Sequence, residues 1–100
     1  MQFVKKDGVN LAYKERNPGA RPILFVHGWG CDHTFFAPQE QFFSRSHHVI
    51  SVDLRGHGKS DTPEQEYTET SLGDRLSQTA DLLLHFFTKT RWRRTFHIVR

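Results

Sequence analysis

Hydrophobic and polar residues alternate near the start of the chain and then give way to a wholly apolar run, and this contrast predicts a mixed sheet. Val9, Leu11 and Tyr13 alternate with polar or small residues, which indicates a strand with one buried face. Residues 23–26 are all apolar, as in a parallel-sheet strand that is covered on both faces. The predicted strands are residues 2–5, 9–16, 23–26, 48–52 and 95–99, of which the first two form a β-hairpin around Asp7-Gly8.

Two further segments are predicted to be helices. Residues 36–43 form a short helix with Pro38 in its first turn, where a missing N–H costs nothing. Its expected packing face is Phe35, Phe36, Phe42 and Phe43. The longer helix, residues 71–88, has a cap in Ser71 and an apolar stripe at three- and four-residue spacing, formed by Leu72, Leu76, Ala80, Leu83, Leu84 and Phe87. This mixture of strands and helices predicts an α/β fold.

Composition narrows the class of protein only slightly. The chain has 100 residues, of which 36% are hydrophobic and 25% charged, as in ordinary globular domains. No apolar run approaches the ~20 residues of a membrane-spanning helix, and the residues after Met1 lack the apolar core of a signal peptide. Cys31 is the single cysteine, so no internal disulfide can form. The cytoplasm is therefore the default expectation for the location.

The net charge of +3 comes from one end of the chain. Residues 1–88 contain nine Lys or Arg and eleven Asp or Glu, whereas residues 89–100 contain five Lys or Arg and no acidic residue. A basic run that includes Trp92 can bind a phosphate backbone, but such clusters are more often solvated surface. We therefore predict no nucleic-acid partner. We expect residues 89–100 to be a distinct basic segment, either one further strand or an aberrant tail.

Two glycine-containing loops follow predicted strands and carry the candidate chemistry. The first follows residues 23–26 and reads His27-Gly28-Trp29-Gly30. The second follows residues 48–52 and reads Asp53-Leu54-Arg55-Gly56-His57-Gly58-Lys59-Ser60. Ligands of open α/β sheets bind just beyond the carboxyl ends of the strands, where both loops would lie. Glycines there allow sharp turns and leave backbone N–H groups facing open space.

The two loops together resemble the amino-terminal part of the α/β-hydrolase fold, over residues 2–87. The resemblance implies an α/β three-layer sandwich with an incomplete sheet: an amino-terminal β-hairpin, then parallel strands with two helices. It also implies that the backbone N–H of Trp29 is one donor of an oxyanion hole, which stabilises the charge of an acyl-transfer intermediate. His27, Gly28 and Gly30 would support this loop.

By the same resemblance, the second loop is a structural turn without catalytic residues. Its expected members are Asp53, Arg55, Gly56 and Gly58. His57, which lies between the two glycines, and Lys59, which follows the second, are expected to face solvent. The turn would hold the first loop in place.

The nucleophile of the family is absent from residues 1–100. Its Gly-x-Ser-x-Gly elbow should follow the strand at residues 95–99, no serine of the chain has that glycine frame, and the catalytic acid and histidine come later in this fold. We therefore predict that residues 1–88 are the amino-terminal part of an α/β-hydrolase domain, truncated or frameshifted near Thr88 and inactive alone. The intact protein would use a Ser or Asp nucleophile, without a cofactor or a membrane partner, to cleave a small ester or a related acyl or carbon–heteroatom bond.

Other classes of function fit the residues less well. Residues 58–60 resemble the end of a phosphate-binding P-loop, but that motif needs glycine where Asp53 stands. The dinucleotide-binding pattern fails at its third glycine, where the chain has Asp61. The histidines and Cys31 show no zinc-binding spacing, so no metal is expected. A non-catalytic fragment that binds a partner through an unpaired sheet edge remains an alternative.

Overall fold

Five strands form one mixed sheet in the computed structural model, which describes residues 1–6, 8–28, 30–62 and 97–99. The strands are β1 (Gln2–Lys6), β2 (Val9–Arg16), β3 (Arg21–Val26), β4 (His47–Val52) and β5 (His97–Val99). Their order across the sheet is β1-β2-β4-β3-β5. All five predicted strands are therefore present. β2 has the predicted bounds, and β1, β3 and β4 each extend one or two residues beyond them.

The pairing of the strands decides where the two glycine-containing loops lie. β1 and β2 form the predicted antiparallel hairpin, in which Lys6 faces Val9 across a turn with Gly8 at a φ of 77°. β2 is also antiparallel to β4. β3 runs parallel to both β4 and β5. Because β3 and β4 are parallel and adjacent, the loops that follow them leave the sheet at the same edge.

Both faces of β3 and β4 are covered, which explains the absence of polar alternation in β3. On one face, Ile23, Phe25 and Val49 form a cluster with aromatic side chains from the segment between the strands. On the other face, a larger cluster joins these strands to the hairpin and contains Val9, Leu11, Tyr13, Leu24, Val26, Ile50, Val52 and Leu54. The fold class expected from the sequence, an α/β sandwich with an incomplete sheet, is confirmed.

The segment between β3 and β4 is a 3₁₀ turn, His33–Phe36, followed by helix α1, Ala37–Phe43. The Asp32 side chain begins the turn by accepting a hydrogen bond of 2.8 Å from the Thr34 N–H. Pro38 lies in the first turn of α1, as predicted.

The prediction of a four-phenylalanine packing face on this helix is wrong for two of its members. The ring centroids of Phe36 and Phe43 lie 5.0 Å and 6.4 Å from that of Phe25 in the sheet. Phe35 and Phe42 are instead 61% and 62% exposed. Neighbouring residues point about 100° apart in an α-helix and about 120° apart in a 3₁₀ turn, so both members of an adjacent pair cannot face the sheet.

Glu40 of α1 is buried against the sheet, and the sequence analysis did not anticipate it. Its carboxylate is paired with Arg16 at 2.7 Å and with Lys14 at 3.2 Å, both from β2. A carboxylate is costly to bury unless opposite charges or hydrogen bonds compensate for the lost water. The two basic residues of β2 therefore fix the position of α1 over the sheet.

The predicted helix at residues 71–88 lies outside the described residues, as does the boundary at residue 88. The division into residues 1–88 and 89–100 thus stays a prediction. Among the residues that the structure describes, no helix is long and apolar enough to cross a membrane.

The core position of Phe25 gives the first test of the fold. We expect Phe25→Ala to lower the free energy of unfolding by about 3–5 kcal/mol, since it leaves a cavity between β3 and α1. Phe42→Ala is the matched control and should cost less than about 1 kcal/mol, because that ring is mostly exposed. Urea titration followed by circular dichroism measures both, and equal losses would contradict the packing described above.

Candidate functional site

The site is formed by the two loops at the carboxyl ends of β3 and β4. We call residues 27–32 the β3 loop and residues 53–61 the β4 loop. Trp29, the predicted oxyanion donor, lies outside the described residues. The remaining predicted residues of both loops are described, and the structure brings them together.

His27 joins the β3 loop to the β4 loop. Its side chain is almost fully buried, and its Nε2 accepts a hydrogen bond of 3.0 Å from the backbone N–H of Leu54. Its Nδ1 lies 2.8 Å from the carbonyl oxygen of Gly28 and donates to it, because Nε2 is already used as an acceptor. Burial lowers the pKa of His27 below the ordinary value of 6.5, against an opposing effect of the hydrogen bond to Gly28. The ring is therefore held in its neutral form.

His57 makes the reciprocal contact from the β4 loop. Its Nε2 accepts a hydrogen bond of 3.1 Å from the Gly30 N–H, and its Nδ1 donates to the carbonyl oxygen of Arg55 over 3.0 Å. The centroids of the His27 and His57 rings are 4.9 Å apart. The expectation that His57 faces solvent is thus wrong: the residue is half-buried between the loops, whereas Lys59 is exposed as expected.

Asp53 is fully buried at the end of β4 and accepts hydrogen bonds from both sides. From the segment that follows the β3 loop, His33 donates its backbone N–H over 2.6 Å and its Nδ1–H over 2.9 Å. From its own loop, the Lys59 N–H donates over 2.9 Å. Gly58 packs against the same carboxylate so closely that a Cβ at residue 58 would overlap with it. The Asp53 carboxylate therefore fixes the conformation of the β4 loop through its contacts with Gly58 and the Lys59 N–H.

Ser60 and Asp61 connect the β4 loop to the hairpin. The buried Ser60 hydroxyl donates to the Asp53 carbonyl oxygen and accepts a bond of 2.6 Å from the Ala12 N–H. Asp61 and Asn10 exchange two hydrogen bonds, from the Asp61 N–H to the Asn10 carbonyl at 2.8 Å and from the Asn10 N–H to the Asp61 carboxylate at 2.9 Å. Because the Ser60 hydroxyl is occupied in this way, it does not serve a nucleotide phosphate as a P-loop serine would.

An open cavity of about 650 Å³ lies between the two loops. Its lining includes Cys31 and Thr34 from the segment after β3 and residues 56–58 of the β4 loop. Asp32 also borders it, and hydrogen bonds from the Thr34 hydroxyl and N–H lower the pKa of this carboxyl. A volume of this size is in the range of small-molecule sites. Within the described residues, no group of three or more His, Cys, Asp or Glu side chains is arranged to hold a metal ion.

Sequence reasoning found the loops but missed several of the side chains that hold them together. It assigned no role to His33 or Ser60, and it placed His57 in solvent. A buried carboxylate after a strand requires donors, so Asp53 was the signal that could have led to His33. Which histidine supplies the donor depends on the path of the 3₁₀ turn, which the sequence pattern did not predict.

The parallel pairing of β3 and β4, with helix α1 between them and both loops at one edge of a mixed sheet, is the arrangement of an α/β fold. Residues 23–96 match the sequence model of the alpha/beta hydrolase family. The chain belongs to this family, which confirms the resemblance drawn from the two loops.

Individual proteins to which this chain is similar have different names, and two of them have different named activities. The AB hydrolase superfamily protein YisY of Bacillus subtilis is 42% identical over 73 residues, which is 72% of this chain and 27% of that protein. A non-heme chloroperoxidase of Streptomyces lividans is 42% identical over 59 residues, 57% of this chain and 21% of that protein. The structure of Est816, an N-acyl homoserine lactone degrading enzyme, matches with a TM-score of 0.64 and 32% identity, over 83% of this chain and 32% of that one. The chain thus spans about a fifth to a third of the length of these relatives.

The lowered pKa of His27 predicts a pH dependence of stability. The unfolded chain takes up this proton more readily than the folded chain does, so the stabilisation is complete above about pH 6.5 and is lost as the pH falls below that value. Urea titrations between pH 5 and pH 8 should show this decrease, and His27→Gln should make it smaller. An identical pH profile in the two proteins would refute the assignment of a buried neutral imidazole.

The contact between Gly58 and Asp53 predicts that adding a single methyl group at residue 58 lowers the stability of the protein by an unusual amount. Gly58→Ala should destabilise the protein by about 1–3 kcal/mol more than Gly19→Ala, because the added Cβ displaces the buried carboxylate. Gly19 is the matched control, since it also has a positive φ, 97° against 52°, but has open space around it. Equal losses in urea titrations would contradict an extra cost of the contact between residue 58 and the Asp53 carboxylate.

Proposed function

We propose that the β3 loop is one half of the oxyanion hole of a hydrolase that cleaves a small ester or a related acyl or carbon–heteroatom bond. The observation that carries this proposal is the clasp between the loops, in which His27 and His57 each accept a backbone N–H from the other loop. An oxyanion hole needs N–H donors that are fixed before the charge develops, because their reorganisation would otherwise cost activation energy. Two reciprocal hydrogen bonds supply that rigidity.

The proposed donor is the backbone N–H of Trp29. The N–H of the next residue, Gly30, already donates to His57, so it is committed to holding the loop. His27, Gly28 and Gly30 shape the loop around this donor, while Asp53, Arg55, Gly56 and Gly58 form the supporting turn. The cavity beside the loops is where a small-molecule substrate would lie.

These residues stabilise a transition state but do not supply the attacking group. Loss of a nucleophile costs about a millionfold in rate, whereas one oxyanion donor contributes about a hundredfold to a thousandfold. Since residues 1–100 contain no Gly-x-Ser-x-Gly elbow, the proposed activity belongs to a protein that includes further residues. We propose that residues 1–88 are the amino-terminal part of its catalytic domain and are inactive alone.

The named activities of the relatives support acyl chemistry without choosing a substrate. Est816 is named as an enzyme that degrades an N-acyl homoserine lactone, a compound that contains a cyclic ester and an amide. The chloroperoxidase, which is 42% identical over 59 residues, has another named reaction. A partner-binding role is a second candidate, favoured by Ile98 and Val99 on β5, which are 39% and 38% exposed.

The Trp29 donor can be tested in the protein expressed from its complete coding sequence. Trp29→Pro removes the N–H, and we expect kcat on p-nitrophenyl acetate to fall by about a hundredfold to a thousandfold. Trp29→Ala keeps the N–H and is the matched control, with an effect confined to about tenfold. A phosphonofluoridate reagent for active-site serines should abolish turnover if the nucleophile is Ser.

Three results would count against the proposal. Equal activity of the Pro and Ala variants, with unchanged circular dichroism, would remove Trp29 from the oxyanion hole. Absence of turnover on esters, lactones and epoxides would refute the hydrolase activity. Saturable binding of a protein partner in that case would support the second candidate.

A further inference from the structure

We propose that His57 is a positioning residue of the oxyanion loop, which acts through the hydrogen bond between its Nε2 and the Gly30 N–H. The inference rests on the proposed function for its catalytic consequence, but not for its structural part. It assigns a role to a side chain that the sequence analysis placed in solvent.

The first step is that His57 has no nitrogen left for proton transfer. Its Nδ1 donates to the Arg55 carbonyl at 3.0 Å, and its Nε2 accepts from Gly30 at 3.1 Å. A general acid or base needs a ring nitrogen that can reach the substrate. A ring with both nitrogens committed to the backbone instead holds that backbone in place.

The second step is the place of Gly30 beside the proposed donor. Gly30 has a φ of 78°, a conformation that residues other than glycine rarely adopt. Its N–H belongs to the peptide unit that it shares with Trp29, so fixing this N–H fixes the plane on the carboxyl side of Trp29. His57 thereby holds the peptide group that directly follows Trp29, the residue whose own N–H is the proposed donor.

The third step is that the hydrogen bond from Gly30 to His57 requires one of the two neutral tautomers of the His57 ring. Nε2 accepts a hydrogen bond, so it carries no proton, and the proton of the neutral ring is on Nδ1. The Arg55 carbonyl selects this form by accepting from Nδ1. The Arg55 carbonyl of the β4 loop thus leaves Nε2 of His57 without a proton, so that it can accept the hydrogen bond from the Gly30 N–H of the β3 loop. The His27 ring, with its centroid 4.9 Å away, restricts movement of the His57 ring on one side.

The experiment uses the protein expressed from its complete coding sequence and three variants. His57→Phe keeps a ring beside His27 but removes the acceptor. His57→Gln restores an acceptor oxygen near the position of Nε2. His47→Phe makes the same change at the opposite end of β4, where the ring contacts Phe43 and Ser46, and is the control.

We expect the Gly30 amide to exchange with solvent about tenfold faster in His57→Phe than in the parent protein. His57→Gln should restore most of the protection, and His47→Phe should not alter it. If the proposed function holds, kcat on p-nitrophenyl acetate should fall by about a hundredfold in His57→Phe with little change in KM. His57→Gln should recover most of this loss.

A measurement on the parent protein keeps the proposal falsifiable if the variants do not fold. Long-range proton–nitrogen spectra of the His57 ring should show the proton on Nδ1 and a bare Nε2 near neutral pH. A proton on Nε2 would overturn the proposal without any substitution. Unchanged Gly30 protection in a folded His57→Phe variant, or lost protection in a folded His57→Gln variant, would also overturn it.

The readouts separate failure of this inference from failure of the proposed function. The Gly30 amide could lose its protection from exchange in His57→Phe and regain it in His57→Gln, in a protein that shows no acyl-transfer activity. That result would support the positioning role and refute the hydrolase proposal. Activity that does not respond to His57, with Gly30 exchange equally unaffected, would keep the hydrolase proposal and refute the positioning role.

Discussion

The buried carboxylate of Asp53 is the constraint on which the arrangement of both loops depends. A carboxylate in the interior loses its hydration and must receive hydrogen bonds in return. Here the donors are His33, which follows the β3 loop, and the Lys59 N–H of the β4 loop. Because one acceptor needs donors from both segments, neither segment can move without leaving a buried charge uncompensated.

The two histidines extend this constraint to the edge where chemistry would occur. His27 and His57 each use Nδ1 as a donor to a carbonyl of their own loop, and each uses Nε2 as an acceptor from the other loop. Backbone N–H groups that would otherwise be free are thereby directed by side chains. In an α/β hydrolase, such a preorganised backbone is what an oxyanion hole requires. The β4 loop contributes to the proposed chemistry by orienting its neighbour.

The fold was largely predictable from the sequence, whereas the side-chain partners at the site were not. Residues 23–26 showed no polar alternation because β3 is buried on both faces, and the hairpin followed from alternation in β2. The phenylalanines misled the analysis, because their type indicates burial but only Phe36 and Phe43 point at the sheet. Glu40 escaped notice because its burial depends on Arg16 and Lys14, which are distant in sequence.

The sequence by itself determined the family, the strands and the two loops, because these depend on local pattern and on short motifs. It also determined that residues 1–100 contain no nucleophile elbow of the family. Only the tertiary structure decided that His33 binds Asp53, that His57 turns inward to Gly30, and that Ser60 is occupied by the hairpin. Each of these contacts joins residues separated by 20 to 48 positions. The contacts of His33 and His57 exist because parallel pairing of β3 and β4 places both loops at one edge, whereas the contact of Ser60 exists because antiparallel pairing brings β2 beside the β4 loop. No local pattern encodes either proximity.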